Sequence, residues 1–352
     1  MKLINCMIDR KEAAVLLISS ALLLILPGCV QQHAENTAIP VIFDTDIGND
    51  IDDVLALQML FNYEKDNKVN ILGITISKSN PRVVEYVDGY CRFNDRGDIP
   101  LGYAYGGVNP EPYRYVPITL DTLIEGRPVL FPQRKLDADI PEGYVLQRKI
   151  LAQQPDKSVV MIVVGPQTNI QRLLDSGPDE YSSLTGVELV RKKVRLLSVM
   201  GGLYNDEFDF PEWNIVQDLA ASKTLFDKWP TEIVASGFEV GSELLYPHQS
   251  ILNDFEDAEK HPLCVSYKVY QDMPYDRQTW DLTSVLYAIE PDGGYFDLSD
   301  AGKIIIDSVG NSIFKKGDGG RHRYLIIPEN KRQHTMKKLV DQTTGKRVST
   351  YR

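Results

Sequence analysis

From Pro40 onward, short continuous apolar runs alternate with longer amphipathic stretches, the pattern of βαβ units around a mainly parallel sheet. VIFDTD, from Val41, reads as the first strand, Val54–Phe61 as a helix, and VNILGITIS, from Val69, as the second strand. VVMIVVGP from Val159 and VRLLSVMGG from Val194 are apolar throughout, as strands buried on both faces are. TEIVASGFEV from Thr231 is a weaker example. Between Arg96 and Glu142 the chain is rich in Gly, Pro and Tyr and reads as a small insertion or a long loop over a site. The expected fold is an open, mainly parallel α/β sheet with helices on both faces and a Rossmann-like core. One domain is expected from about residue 40 to about residue 330, followed by a polar, mostly basic tail or helix over 331–352.

The N-terminus follows a different pattern. Arg10, Lys11 and Glu12 precede an apolar run from Ala13 to Leu26, the length of a signal-peptide core and too short to span a bilayer. The run ends in Leu26-Pro27-Gly28-Cys29, which resembles the bacterial lipoprotein processing box, whose Cys becomes the acylated first residue. The expectation is a signal over 1–28, a lipid on Cys29, a polar tether over 29–39, and a protein held at a bacterial membrane, in the periplasm or at the cell surface. Cys6 leaves with the signal, so Cys91 and Cys264 are the only pair that could form a disulfide, and no metal-type Cys spacing exists. A net charge of -11 over 352 residues argues against nucleic acid as a partner, since such binding rests on Lys and Arg neutralising phosphates. A neutral or cationic small molecule fits better.

Candidate chemistry concentrates in the stretch VIFDTDIGNDIDDVLAL. Asp44 and Asp46 alternate about Thr45 at the end of an apolar strand, which is expected to put both carboxylates on one side. Gly48 permits a sharp turn, and Asp52 and Asp53 open the following helix, where backbone N–H groups favour ionised carboxylates. Converging carboxylates repel one another, and a hard divalent cation resolves the repulsion; calcium suits an all-oxygen, irregular ligand set. Helix capping alone would not need five Asp between residues 44 and 53. An EF-hand loop is excluded, because counting from Asp44 the Gly is fifth and the twelfth residue is Leu55. A phosphatase of the haloacid-dehalogenase type, with Asp44 as nucleophile and magnesium, remains an alternative.

The same stretch is similar to the Asp-x-Asp-Pro-Gly-x-Asp-Asp opening of the inosine-uridine-preferring nucleoside hydrolases, and four further segments match in order. GITISKSN ends in Asn80, VVGPQTNI resembles a Gly-Pro-x-Thr-Asn motif, VMGGLYNDEFDFPEWN a Met-Gly-Gly strand end followed by Glu-Phe-Asn, and WDLTSVLYAI a His-Asp-x-x-Ala helix start. The resemblance implies a nucleoside hydrolase that splits the N-glycosidic bond of ribonucleosides, with calcium held by Asp46, Asp53, the Val164 carbonyl and Asp281. It implies Asp52 as general base on a water, Asn80 near ribose and that water, and Met200, Glu212, Trp213, Asn214 and Trp280 against the substrate. A homodimer or homotetramer is implied as well.

Three departures stand out. Ile47 replaces the Pro, two extra residues, including Asp50, separate Gly48 from Asp52, and Trp280 occupies the place of the His that protonates the departing base in many members. Asp50 could take over one of the acid roles. By position, Tyr275, Arg277 or an aromatic platform at Trp280 are the candidates for leaving-group activation. A lipoprotein that binds nucleosides or sugars without turnover is the third reading.

Overall fold

The computed structural model describes residues 38–108, 114–137 and 139–346, so the expected signal, Cys29, most of the tether and the last six residues lie outside the described residues. Among the described residues, nine strands form the main path of the sheet: β1 (Ile39–Thr45), β2 (Val69–Ile76), β3 (Leu101–Tyr103), β4 (Val159–Val163), β5 (Val194–Met200), β6 (Glu232–Ser236), β7 (Gly302–Ile306), β8 (Ser312–Lys316) and β9 (His322–Ile326). Their order is β8-β7-β9-β6-β5-β4-β1-β2-β3, and a two-residue strand, Asp297–Leu298, joins β9 off this path. From β3 across to β9 all neighbours pair parallel, while β7 runs antiparallel to both β8 and β9. The open, mainly parallel α/β sheet read from the sequence is thus the fold.

Helices cover both faces, and two apolar clusters mark the two layers of core. Alternate residues of β1 serve one layer each: Val41 and Phe43 pack toward α1 (Asp52–Lys65), and Ile42 toward α3 (Gly143–Gln153). α2 (Pro81–Phe93) returns the chain from β2 to β3, and α4 (Thr168–Asp175) follows β4. The short helix α5 (Trp213–Gln217) follows β5, and α6 (Trp280–Ile289) packs against both α1 and β5.

The chain beyond residue 330 takes the helical alternative, and the packed body runs past the expected boundary. α7 (Glu329–Thr344) lies on α1, burying Leu339 and Val340, and Asn62 of α1 donates from Nδ2 to the carbonyls of Gln342 and Thr343 at 2.9 and 2.8 Å. Its polar composition hid this, because Thr335, Leu339, Val340, Gln342 and Thr343 carry the burial while the other, mostly polar, positions are only partly covered or exposed. The Gly- and Tyr-rich segment after Arg96 supplies the edge strand β3, a helix at Val116–Asp121 and a hairpin at 123–128. Cys91 and Cys264 are both buried and unpaired.

Leu339→Ala is expected to destabilise the protein by about 2–5 kcal/mol, the range for a buried Leu that leaves a cavity. Urea unfolding measures it, and a loss well under 1 kcal/mol would mean that α7 is not integral to the core.

Candidate active site

The carboxyl ends of β1, β4 and β5 meet at a cavity of about 360 Å³, where open α/β sheets bind their ligands. β1 ends at Thr45, so the expected alternation breaks and its two acids part. Asp46 lines the cavity, whereas Asp44 turns beneath it, wholly buried. There Asp44 accepts from Asn169 Nδ2 at 2.8 Å, Gln147 Nε2 at 3.3 Å and the Thr75 hydroxyl. This correction removes the nucleophile a haloacid-dehalogenase-type mechanism requires, since Asp44 has no access to substrate.

The turn from β1 to α1 is held from three sides. Gly48 adopts φ +114, a conformation L side chains rarely reach, and a Cβ there would sit 3.2 Å from Val83 Cγ2. The Tyr115 hydroxyl accepts from Gly48 N at 2.8 Å and donates to the Asp50 carbonyl at 2.9 Å, so the Tyr-rich segment latches the acidic loop. The Thr45 hydroxyl donates to the Asp53 carboxylate and accepts from Ile47 N at 3.1 Å. These contacts fix Asp52 and Asp53 in the first turn of α1. Asp281 arrives from the first turn of α6, and its backbone N donates to Asp52 Oδ2 at 3.1 Å.

Carboxylate oxygens of Asp52, Asp53 and Asp281 all lie within 4.8 Å of one another, and all three side chains are buried. Burial, then the negative charge of the neighbouring Asp residues, pushes the pKa of each well above the ordinary carboxylate range. Asp46 stands beside this trio, pushed up to about 6, chiefly by burial. Across the cavity floor, Gly165 leaves room for it: a Cβ there would fall 2.7 Å from both Asp46 Oδ1 and Ser77 Oγ. A dry, all-oxygen set of this kind suits a hard divalent cation, whose charge offsets the repulsion. Asp50 belongs elsewhere. Its carboxylate binds Arg277 side-on, with Nε donating to Oδ1 at 2.8 Å and Nη2 to Oδ2.

Val164, Met200, Glu212, Trp213, Asn214 and Trp280 all line the cavity. Asn214 donates from Nδ2 to the Val164 carbonyl at 3.2 Å and lies 3.1 Å from Met200 Sδ, tying β4, β5 and α5 together. Glu212 caps α5, accepting from Asn214 N at 2.9 Å, Ile215 N at 3.2 Å and Gly202 N at 3.1 Å, while burial pushes its pKa up to about 7. Asn80 does not line the cavity. It caps α2 instead, Oδ1 accepting from Arg82 N at 3.2 Å, and the buried Lys78 approaches the site, its Nζ donating to Asn49 Oδ1. Tyr275 is also displaced from the site, stacking on Tyr267 and donating to its carbonyl.

Sequence reading missed Phe238, Tyr270 and Arg114, which complete the cavity wall. Phe238 stacks on Trp280 at 5.3 Å, and the Trp280 indole N–H is spent on the Phe238 carbonyl at 2.8 Å. An apolar residue after β6 carries no signal of this role on its own. The Gly237-Phe238 strand end became interpretable only once α6 was placed against it.

A parallel α/β sheet whose strand ends converge on a buried carboxylate cluster and an aromatic wall defines the class, an enzyme acting on a small molecule. The particular family follows from comparison with known proteins. The model of the inosine-uridine preferring nucleoside hydrolases matches residues 41–345, and the chain belongs to this family of nucleoside-cleaving, metal-dependent enzymes. No curated protein sequence matches it. Among solved structures, it is similar to an inosine-guanosine nucleoside hydrolase at 16% identity and TM-score 0.68, covering 88% of this chain and 99% of that one. A purine-preferring ribonucleoside hydrolase from Gardnerella vaginalis gives 15% identity and TM-score 0.65, covering 87% and 98%. The inosine-uridine preferring enzyme of Bacillus anthracis gives 16% and 0.61, covering 86% and 99%. At such identities these structures speak to the fold.

Because repulsion among the acids is a local penalty, Asp281→Asn is expected to stabilise the metal-free protein by about 1–2 kcal/mol at neutral pH. A divalent cation should raise the thermal midpoint of the wild type and raise that of the variant far less. Thermal unfolding with chelator and then with cation checks both, and a variant less stable than wild type without metal would contradict the repulsion argument.

Proposed function

We propose that the protein hydrolyses the N-glycosidic bond of ribonucleosides to ribose and free base, with calcium as its cation. The observation that carries this reading is the convergence of Asp52, Asp53 and Asp281 beside Val164, Asn214 and Trp280 in one cavity. Asp53, Asp281, Asp46 and the Val164 carbonyl would hold the ion. Bound there, calcium supplies positive charge that makes a water more acidic and orients the ribose hydroxyls. Asp52 takes the proton of the attacking water as general base. Glu212 and Asn214 bind the sugar, and the nearby carboxylates stabilise the positive charge that builds on it as the C–N bond breaks. Phe238, Trp280 and Trp213 provide flat apolar surface on which the base stacks.

One observation favours a second reading of the acid roles. Asp52 belongs to the trio whose oxygens lie within 4.8 Å of one another, as ligands of one ion do, whereas Asp46 stands beside it; exchange of the two roles would make Asp46 the base. The Leu26-Pro27-Gly28-Cys29 box supports export and anchoring through a lipid on Cys29, which would place the enzyme where it salvages nucleosides outside the cytoplasm.

Purified protein is expected to release ribose from at least one member of a nucleoside panel, to lose that activity to a chelator and to regain it with calcium. No release from any member with calcium present would sink the proposal. Asn substitution at the base should lower kcat by about 100-fold or more with calcium affinity retained. Asn substitution at a ligand should instead lower calcium affinity, so comparing Asp52→Asn with Asp46→Asn assigns the roles.

A further inference from the structure

Arg277 has no counterpart in the sugar-facing chemistry, yet it lines the same cavity. It sits in a two-residue strand paired with Leu245–Tyr246, and its Cζ lies 5.2 Å from the ring centroids of both Tyr270 and Trp280. Two rings and the side-on pair with Asp50 therefore fix the guanidinium, which remains 17% exposed. The Asp50 pair occupies Nε and Nη2, and among the described residues Nη1 has no hydrogen-bond partner. Burial works against this charge, but Asp50 together with Asp52 and Tyr270 holds the pKa above the usual arginine range, so Arg277 stays cationic.

The other donors expected at the leaving group are spent or absent. The Trp280 N–H is committed to Phe238 and Ser242, the Tyr275 hydroxyl to Tyr267, and none of the described histidines lines the cavity.

We propose that Arg277 activates the departing base, its Nη1 edge hydrogen-bonding the base heteroatom on which negative charge collects. The proposal rests on the hydrolase reading and deepens it. A bond forms between the water oxygen and C1′, and the water's proton passes to the aspartate base. The electron pair of the C1′–N bond leaves with the nucleobase, which takes its proton from solvent, while the guanidinium keeps its own. Arg277 thus supplies electrostatic stabilisation rather than a proton, in a site where low water content strengthens it.

The test compares the best-cleaved natural nucleoside with 4-nitrophenyl riboside, whose leaving group needs no activation. Arg277→Ala is expected to lower kcat/KM for the nucleoside by about 100-fold or more while changing the nitrophenyl substrate less than about 5-fold. Arg277→Lys should recover part of the nucleoside activity. Retained cleavage of the nitrophenyl substrate certifies a folded site in each variant. Equal loss on both substrates, or undiminished nucleoside cleavage by Arg277→Ala, overturns the proposal. A wild type inactive on both substrates overturns the hydrolase reading itself, and this one with it.

Discussion

Three buried carboxylates held within 4.8 Å of one another are the constraint around which the rest of the molecule is arranged. Left alone, such groups would move apart or take up protons, because like charges in a poorly hydrated place are costly. The scaffold prevents the first, and the raised pKa values of all three express the second. Asp52 and Asp53 are fixed by the first turn of α1, Asp281 by the first turn of α6, and the two helices pack directly on each other. Even the small residues serve this end, since Gly48 makes the turn possible and Gly165 leaves space for Asp46. The repulsion stored there is what gives a cation its selective hold, so affinity and apo-state instability are two sides of one arrangement.

The frame that withstands this strain is the middle of the sheet. β1 is flanked by β2 and β4, both parallel to it, and Val41, Ile42 and Phe43 are fully buried in the two core layers. Acids placed just beyond so rigid a strand cannot drift as acids on a loop would. α7 adds support from behind, because α1 is clamped between it and the sheet side of the fold. A helix that looked like an appendage in the sequence thus stands behind the element that carries two of the acids.

What the sequence disclosed, and what it withheld, divides along physical lines. Continuous apolar runs revealed β1, β2, β4 and β5, because strands buried on both faces need apolar side chains at every position. Val164, Met200 and Asn214 were named through the resemblance of the segments after those strands to the nucleoside hydrolase motifs, not through periodicity. The antiparallel end of the sheet was not legible, since β8 is largely exposed and alternates weakly. Asn80 was misplaced because a residue at the end of a strand can serve the next helix as a cap as readily as a ligand, and local sequence does not distinguish the two. Tyr115 and Phe238 act through contacts with residues far along the chain, which no spacing rule reports.

The two largest departures from the family pattern meet in space, and this bears on how the site is built. The insertion after Gly48 introduces Asp50, and the replacement of the expected His by Trp280 lies three residues beyond Arg277. In the folded protein Asp50 grips Arg277, and Arg277 stacks on Trp280. Either charge without its partner would be unfavourable: Asp50 alone would add to the repulsion felt by Asp52, and Arg277 alone would lack a counter-charge. Together they form an ion pair that fixes the guanidinium at the aromatic wall. An imidazole can protonate a leaving group only while it is imidazolium, which its pKa makes pH-dependent, whereas a guanidinium is charged at every pH the protein meets. Exchanging one for the other trades proton donation for pH-independent electrostatics, an exchange that suits leaving groups able to depart as stabilised anions.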